Sequence, residues 1–201
     1  MNGDYSVNAT FTIDTHDLVL DSTAGGNVTT PGEGTYTYDY GDTVDIKAVP
    51  DTGYHFVRWS GDNGTAINTT DNSTTITMNG DYSLTAIFEA TTHTLTILTP
   101  EHGSMTTPNV GTHTFDYGTV VSLEASADSG YFFKEWTGDT VNVADTLSGS
   151  TTITMEGDYT VEATFEGMVY DITNWKHLHR MRYDMYGDYT LMNDLDKNTV
   201  G

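Results

Sequence analysis

The chain has 201 residues, and its 29 acidic residues against 7 Lys and Arg give a net charge of −22 at pH 7. A field of this sign repels nucleic acid and anionic lipid, so neither is an expected partner. The absence of cysteine excludes a disulfide framework and a cysteine nucleophile. No run approaches the ~20 apolar residues of a transmembrane helix, so no membrane span is expected.

The first residues of the chain echo a later segment. Asn2-Gly-Asp-Tyr-Ser-Val-Asn-Ala-Thr-Phe11 matches residues 79–88, which lie 77 positions further on. We interpret residues 1–15 as the last strand of a preceding, truncated repeat. A strand without its own module either frays in solvent or adds to an exposed sheet edge. We predict addition, with the edge belonging to a neighbouring molecule or to the C-terminal segment.

The same 77-residue period governs most of the chain. Residues 16–88 align on residues 93–165 without a gap, with 33 identities in 73 positions. Self-similarity at a fixed period is typical of arrays of small modules. The predicted division is a truncated strand, two modules and a different C-terminal segment, at 1–15, 16–90, 91–166 and 167–201.

Each module is predicted to be all-β or nearly so. Val44, Ile46 and Ala48 alternate with polar residues, and the copy preserves this pattern. Period-2 alternation indicates a strand with one buried and one solvated face. Turns containing Gly-Asp separate such runs. Six strands are predicted for the first module, with equivalents 77 residues on: roughly 16–21, 35–40, 43–49, 55–59, 74–78 and 82–89.

The aromatic residues allow two interpretations. Trp59 and Trp136 have the residue type of sugar-stacking platforms, but each follows a Phe by three residues and precedes a Gly-Asp turn. A core position is therefore favoured. Predicted core pairs are Trp59/Trp136, Phe56/Phe133, Ile76/Ile153 and Phe88/Phe165. Better candidates for an exposed aromatic face are Tyr38, Tyr40, Tyr54 and Tyr82.

An ordered motif series runs through both modules. Tyr-Gly-x-x-Val is followed by Gly-Tyr-x-Phe-x-x-Trp-x-Gly and then by Thr-Ile-Thr-Met-x-Gly-Asp-Tyr-x-x-x-Ala-x-Phe. The series resembles the divergent internalin B-repeat family, whose small β-grasp-like modules are strung along surface proteins of bacteria and archaea. The resemblance implies an extracellular spacer or adhesive role and no catalytic residue.

The C-terminal segment, residues 167–201, breaks the repeat. Trp175, Leu178, Met181 and Met185 recur at three- and four-residue spacing, which predicts a short amphipathic helix. Residues 187–196 then indicate a turn and a strand. The run resembles the lead-in to GLUG-type β-solenoid repeats of surface proteins.

Acidic turns supply candidate calcium ligands, because carboxylate and carbonyl oxygens suit this ion. The candidates are Asp39, Asp42, Asp62 and Asp81. No twelve-residue loop with regular Asp spacing and a closing Glu is present. A solvated acidic surface with weak, non-stoichiometric calcium binding is therefore favoured over a dedicated site. His177 and His179 are a weaker metal pair, because residues two apart on a helix point to different sides.

Asn-x-Thr sequons are candidate glycosylation sites and fit a surface protein. They begin at Asn8, Asn27, Asn63, Asn68 and Asn72.

No catalytic motif or cofactor-binding motif is present, so neither catalysis nor a cofactor is expected. The favoured function is a spacer, stalk or adhesive segment of a secreted or cell-surface protein, with neighbouring repeats or copies of itself as partners. One alternative is a carbohydrate-binding array that contacts surface glycans. Another is the accessory stalk of a polysaccharide-active enzyme outside these residues. Burial of Trp59 and Trp136 would argue against the first alternative.

Overall fold

The computed structural model describes residues 4, 6–62, 68–172 and 188–191, and the regular structure in these ranges is all β. The chain divides into two compact units, residues 1–91 and 92–201. Strands of the first unit are β1 Thr15–Ser22, β2 Gly26–Thr30, β3 Gly34–Asp39, β4 Thr43–Pro50, β5 Tyr54–Asp62, β6 Ser73–Thr77 and β7 Tyr82–Ala90. Those of the second are β8 Thr92–Ile97, β9 Gly103–Thr107, β10 Gly111–Asp116, β11 Val120–Ala127, β12 Tyr131–Gly138, β13 Ser150–Thr154, β14 Tyr159–Gly167, β15 Val169–Ile172 and β16 Asp188–Leu191. The described part of the chain holds no long apolar helix that would reach across a bilayer.

Each module builds two sheets. In the first module the sheets have the orders β3-β1-β7-β5 and β2-β4-β6, and the second module repeats them as β10-β8-β14-β12 and β9-β11-β13. The first and last strands of each module, β1 with β7 and β8 with β14, pair in parallel at the centre of the larger sheet. Their outer neighbours are antiparallel. The predicted mainly-β, tandem-module fold is confirmed.

The inward residues of both sheets meet in one apolar core per module. Trp59 is 1% exposed and Trp136 is 2% exposed, and Ile76 and Ile153 are fully buried. Phe56 and Phe133 are half-buried and pack against these cores. The predicted core pairs therefore occupy the core in both copies.

Among the residues that the structure describes, each module has seven strands where the sequence predicted six. The additional strand in the first module is β2, and its equivalent in the second is β9. Each of these strands begins with a glycine. In a sequence, a glycine usually indicates a turn, so the strand was not predicted. A Cβ built on Gly26 would lie 2.5 Å from the Phe88 ring, and one on Gly103 would lie 2.4 Å from the Phe165 ring. Because they have no Cβ, these glycines leave room for the two rings. At these positions a glycine therefore indicates close packing and not a turn.

The C-terminal segment contributes one described strand pair. The strand predicted within residues 187–196 is present as β16, which pairs in parallel with β15. The predicted amphipathic helix, together with His177 and His179, lies outside the described residues.

Candidate functional site

The two tryptophans are core anchors, and the sugar-stacking interpretation of them is wrong. Trp59 Nε1 donates a hydrogen bond to the Asp71 carbonyl at 3.1 Å, and Trp136 Nε1 donates to the Ser148 carbonyl at 2.8 Å. Phe56 packs on Trp59 with ring centroids 5.7 Å apart. With rings this buried and indole N–H groups already satisfied, neither tryptophan offers a face to a ligand.

The four candidate tyrosines do not form one exposed face. Tyr40 is 61% exposed and Tyr54 is 41% exposed, whereas Tyr38 and Tyr82 pack against the core. Burial, assisted by the neighbouring Tyr36 and then by Asp42, raises the pKa of Tyr38. Tyr40 and Tyr54 are the members of the set available to a partner.

A histidine and an aspartate clamp the turn before the last strand in both modules. Asp81 Oδ1 accepts the backbone N–H of Asp17 at 2.9 Å and lies 3.4 Å from His16 Nδ1. In the second module, Asp158 Oδ1 accepts the Thr94 N–H at 2.7 Å and lies 3.6 Å from His93 Nδ1. We call these two arrangements the turn clamps. Each ties the turn before the last strand to the start of the module's first strand.

The turn clamps change the acidity of their carboxylates. The Asp17 backbone N–H, together with the hydrogen bond to His16, lowers the pKa of Asp81. The Thr94 backbone N–H and then the Thr94 hydroxyl lower the pKa of Asp158. Sequence reasoning missed these contacts because the partners lie 65 residues apart. The sequence did contain one signal: the His and the Asp are both identical in the two modules, as His16 and His93 and as Asp81 and Asp158.

The remaining candidate calcium ligands are spread over separate turns. Asp42 Oδ2 accepts the Asp39 backbone N–H at 3.2 Å, which closes the turn between β3 and β4. Asp62 ends β5, and its equivalent Asp139 accepts the Thr160 N–H at 2.9 Å. Within the described ranges, no group of three or more His, Cys, Asp or Glu residues is arranged to hold a metal. Calcium binding by these aspartates stays a prediction.

Four of the five sequons fall within described residues, and Asn63 does not. Asn8, Asn27, Asn68 and Asn72 are exposed. Asn68 Oδ1 accepts both the backbone N–H and the hydroxyl of Thr70, at 3.0 and 2.8 Å, and its Nδ2 donates to Asp71. The sequon threonine is thus folded back onto its own asparagine at Asn68.

An open groove of about 490 Å³ lies between the start of β5 and the turn that precedes β6. Its lining residues are Pro50, Tyr54, His55, Phe56, Thr70, Asp71, Asn72 and Ser73. At the positions of His55, Asp71 and Asn72, the second module has Phe132, Ser148 and Gly149. The imidazole of His55, the carboxylate of Asp71 and the amide of Asn72 therefore have no equivalent side chain in the second module.

The fold and its surfaces define a tandem array of small β modules, and comparison with known proteins identifies the family. The family model of the divergent InlB B-repeat domain matches residues 16–92 and 93–168. The matches cover well over half of the chain, and the chain belongs to this family. Comparison with curated proteins gave no match.

A solved structure, that of the Bacillus anthracis TIE protein, is similar to this chain at 8% sequence identity with a TM-score of 0.38. The likeness covers 80% of this chain and 36% of that chain. The similar region therefore spans about a third of the length of that solved chain.

The turn clamps predict a loss of stability in acid. A carboxyl whose pKa is lowered by folding binds its proton more readily in the unfolded chain, so its stabilisation is complete above the ordinary value of 3.8. That stabilisation disappears as the pH falls through the lowered pKa. We expect Asp81→Asn with Asp158→Asn to flatten the fall in melting temperature between pH 5 and pH 2. Thermal unfolding, monitored by circular dichroism at each pH, measures the melting temperature.

The control for this prediction removes the same charge elsewhere. Asp45→Asn with Glu124→Gln changes two exposed strand positions. Acid also protonates other carboxylates and so relieves the repulsion within this strongly negative chain. That relief raises stability as the pH falls, whereas loss of the turn clamps lowers it. An equal flattening in the control pair would show that net charge, and not the clamps, sets the acid response.

Proposed function

We propose that the two modules act as a non-catalytic spacer in a secreted or cell-surface protein, built to resist extension along the chain. Membership of the InlB B-repeat family supports the surface location and the lack of catalysis. The observation that carries the proposal is the parallel pairing of the first and last strands of each module. In the first module the pairs run from Leu18 with Tyr82 to Ser22 with Ala86.

Parallel pairing of terminal strands determines how force enters a module. The start of β1 and the end of β7 lie at opposite ends of one sheet, because neighbouring strands run in the same direction. Force on the chain ends then slides the two strands past each other and strains all of their hydrogen bonds together. An antiparallel hairpin pulled at its ends would instead release its bonds one at a time.

The two modules differ at the end of this ladder. In the first module the Thr23 N–H donates to the Ala86 carbonyl at 2.9 Å, and the Thr23 hydroxyl accepts the Phe88 N–H at 2.9 Å. The equivalent residue in the second module is Pro100, which has neither an N–H nor a hydroxyl. The parallel register there spans only Tyr159 with Leu95 to Val161 with Ile97.

We expect single-molecule pulling of the chain to give two unfolding events of unequal force. Each should release roughly 250 Å of contour length, since a chain extends by ~3.3–3.6 Å per residue. The second module, with the shorter ladder, should unfold first. Thr23→Val leaves the Phe88 N–H without its acceptor, at a cost of about 1–3 kcal/mol, and should lower the higher force.

The reciprocal variant is Pro100→Thr, which restores both missing groups and should raise the lower force. Two events of equal force that neither variant changes would contradict the proposal. So would unfolding at forces too low to resolve.

A second candidate function, glycan adhesion, is supported by the groove of the first module. Its lining combines an exposed aromatic ring, Tyr54, with hydrogen-bonding groups on His55, Asp71 and Asn72. This mixture of an apolar surface and a few polar groups suits a sugar ring. The strongly negative chain favours a neutral or cationic saccharide over an acidic one.

This function predicts that saccharide binding depends on the first module alone. We expect His55→Ala with Asn72→Ala to weaken binding of neutral oligosaccharides at least about tenfold, equivalent to about 1.4 kcal/mol. A glycan array would identify the oligosaccharides that bind, and calorimetric titration would then measure their affinity for each variant. The matched control is Phe132→Ala, at the position equivalent to His55. Equal losses in both variants, or no binding by the unmodified chain, would reject glycan adhesion.

A further inference from the structure

We infer that the N-terminal segment, residues 6–13, is a strand of the β7 type whose partner is a further repeat of this class. It would fill the slot between the β1-type and β5-type strands of that repeat. The inference extends the array of the proposed spacer. Its test involves no applied force, so the spacer proposal and this inference can fail separately.

The sequence of the segment fits that slot position by position. Residues 6–11, Ser-Val-Asn-Ala-Thr-Phe, align with Ser-Leu-Thr-Ala-Ile-Phe of β7 and Thr-Val-Glu-Ala-Thr-Phe of β14. Every residue except Asn8 occurs at the matching position in one of the two strands. The echo extends backwards to Asp4, which stands where the turn-clamp residues Asp81 and Asp158 stand.

The positions that point inward in β7 are apolar in the segment but lie in solvent. Leu84, Ala86 and Phe88 are buried in the first core. Their counterparts Val7 and Phe11 are 92% and 91% exposed, and Ala9 is exposed as well. Residues 6–14 belong to no strand. A segment with this alternation needs a core to cover its apolar face.

The partner slot has two sides. In the first module β7 pairs with β1 on one side and with β5 on the other. Addition to a sheet edge, the outcome that the sequence predicted, would pair one side of the segment and leave the other unpaired. A slot between two strands satisfies the backbone groups on both sides. The slots of the two described modules are already filled by β7 and β14, so the partner is a further repeat.

The connection from this segment to the first module has the same length as the connection between the first and second modules. One residue separates Ala90, the end of β7, from Thr92, the start of β8. Ile13 and Thr15 are the equivalent residues at the N-terminus, and one residue separates them too. A segment seated in a further repeat would therefore lead into β1 just as β7 leads into β8.

The test appends a copy of residues 14–78 directly before Asn2, which preserves the 77-residue spacing. We expect the added strands and residues 6–12 to complete a third module. Hydrogen exchange of the amides of residues 6–12 should slow at least about a hundredfold and match that of residues 83–89. Exchange as fast as in the unextended chain would overturn the inference. Val7→Asp with Ala9→Asp in the extended chain should abolish the protection, and its persistence would also overturn it.

A second variant tests the strand without any extension. Leu84→Val, Thr85→Asn and Ile87→Thr together make residues 79–88 identical to residues 2–11. The first module should still fold cooperatively, and its failure to fold would overturn the inference. Protection of residues 6–12 that rises with the concentration of the unextended chain would assign the partner to a second copy, which also overturns it.

Discussion

Replacing Trp59 by alanine is expected to unfold the first module at room temperature while the second module keeps its own transition. Trp59 is buried among both sheets and its indole N–H is bonded to the Asp71 carbonyl. Truncating a buried tryptophan costs about 3–5 kcal/mol. A module of this size buries too little surface to tolerate such a loss. Trp136→Ala should do the same to the second module.

Calorimetry combined with near-ultraviolet circular dichroism would follow the two transitions. The matched control is Phe132→Ala, which removes an exposed ring from the outer face of β12. Its effect should stay within about 0.5 kcal/mol. A loss in Phe132→Ala as large as that in Trp136→Ala would mean that the burial described for the tryptophans does not set stability.

The second large effect is expected at the glycine near the end of β5 and at its copy near the end of β12. Gly61 and Gly138 have φ angles of +115° and +91°. A Cβ on them would lie 2.2 Å from the Ser83 carbonyl oxygen and 2.3 Å from that of Thr160. Because the backbone of a paired strand cannot give way easily, Gly→Ala at either position should cost roughly 2–5 kcal/mol.

Substitutions at two other glycines distinguish the cost of a Cβ clash from the cost of a positive φ angle. Gly41 and Gly118 also have positive φ angles, +90° and +79°, but a Cβ on either would meet no atom within 4 Å. Alanine there should cost only about 1–2 kcal/mol, for the left-handed conformation alone. Urea unfolding of the four variants measures the difference. Equal losses at all four sites would contradict a steric role for Ser83 and Thr160.

Most of the fold could be predicted because its signals are local. The alternation in β4 places Val44, Ile46 and Ala48 in the core, as the sequence predicted. The Phe three residues before each tryptophan and the Gly-Asp turn after it also identified Trp59 and Trp136 as core residues. Strand β2 escaped prediction because Val28 is its one large apolar residue, and the role of Gly26 depends on a ring 62 positions away.

The candidate site was harder to predict because its contacts are remote in sequence. His16 and Asp81 meet only once β1 and β7 lie side by side. The groove brings Tyr54 together with residues 70–72, and the equivalent residues of the second module, Leu147, Ser148 and Gly149, are all different. Periodicity indicates which way a residue faces in a strand, but it carries no information about such pairings.

The most direct test of the spacer proposal compares two directions of force on the first module. The chain has no cysteine, so attachment points can be introduced singly. Thr15→Cys with Glu89→Cys pulls β1 and β7 past each other, whereas Thr15→Cys with Ser83→Cys pulls the same strands apart from one end. All three positions are exposed. We predict that the first pair unfolds at a several-fold higher force than the second, and equal forces would contradict the proposal.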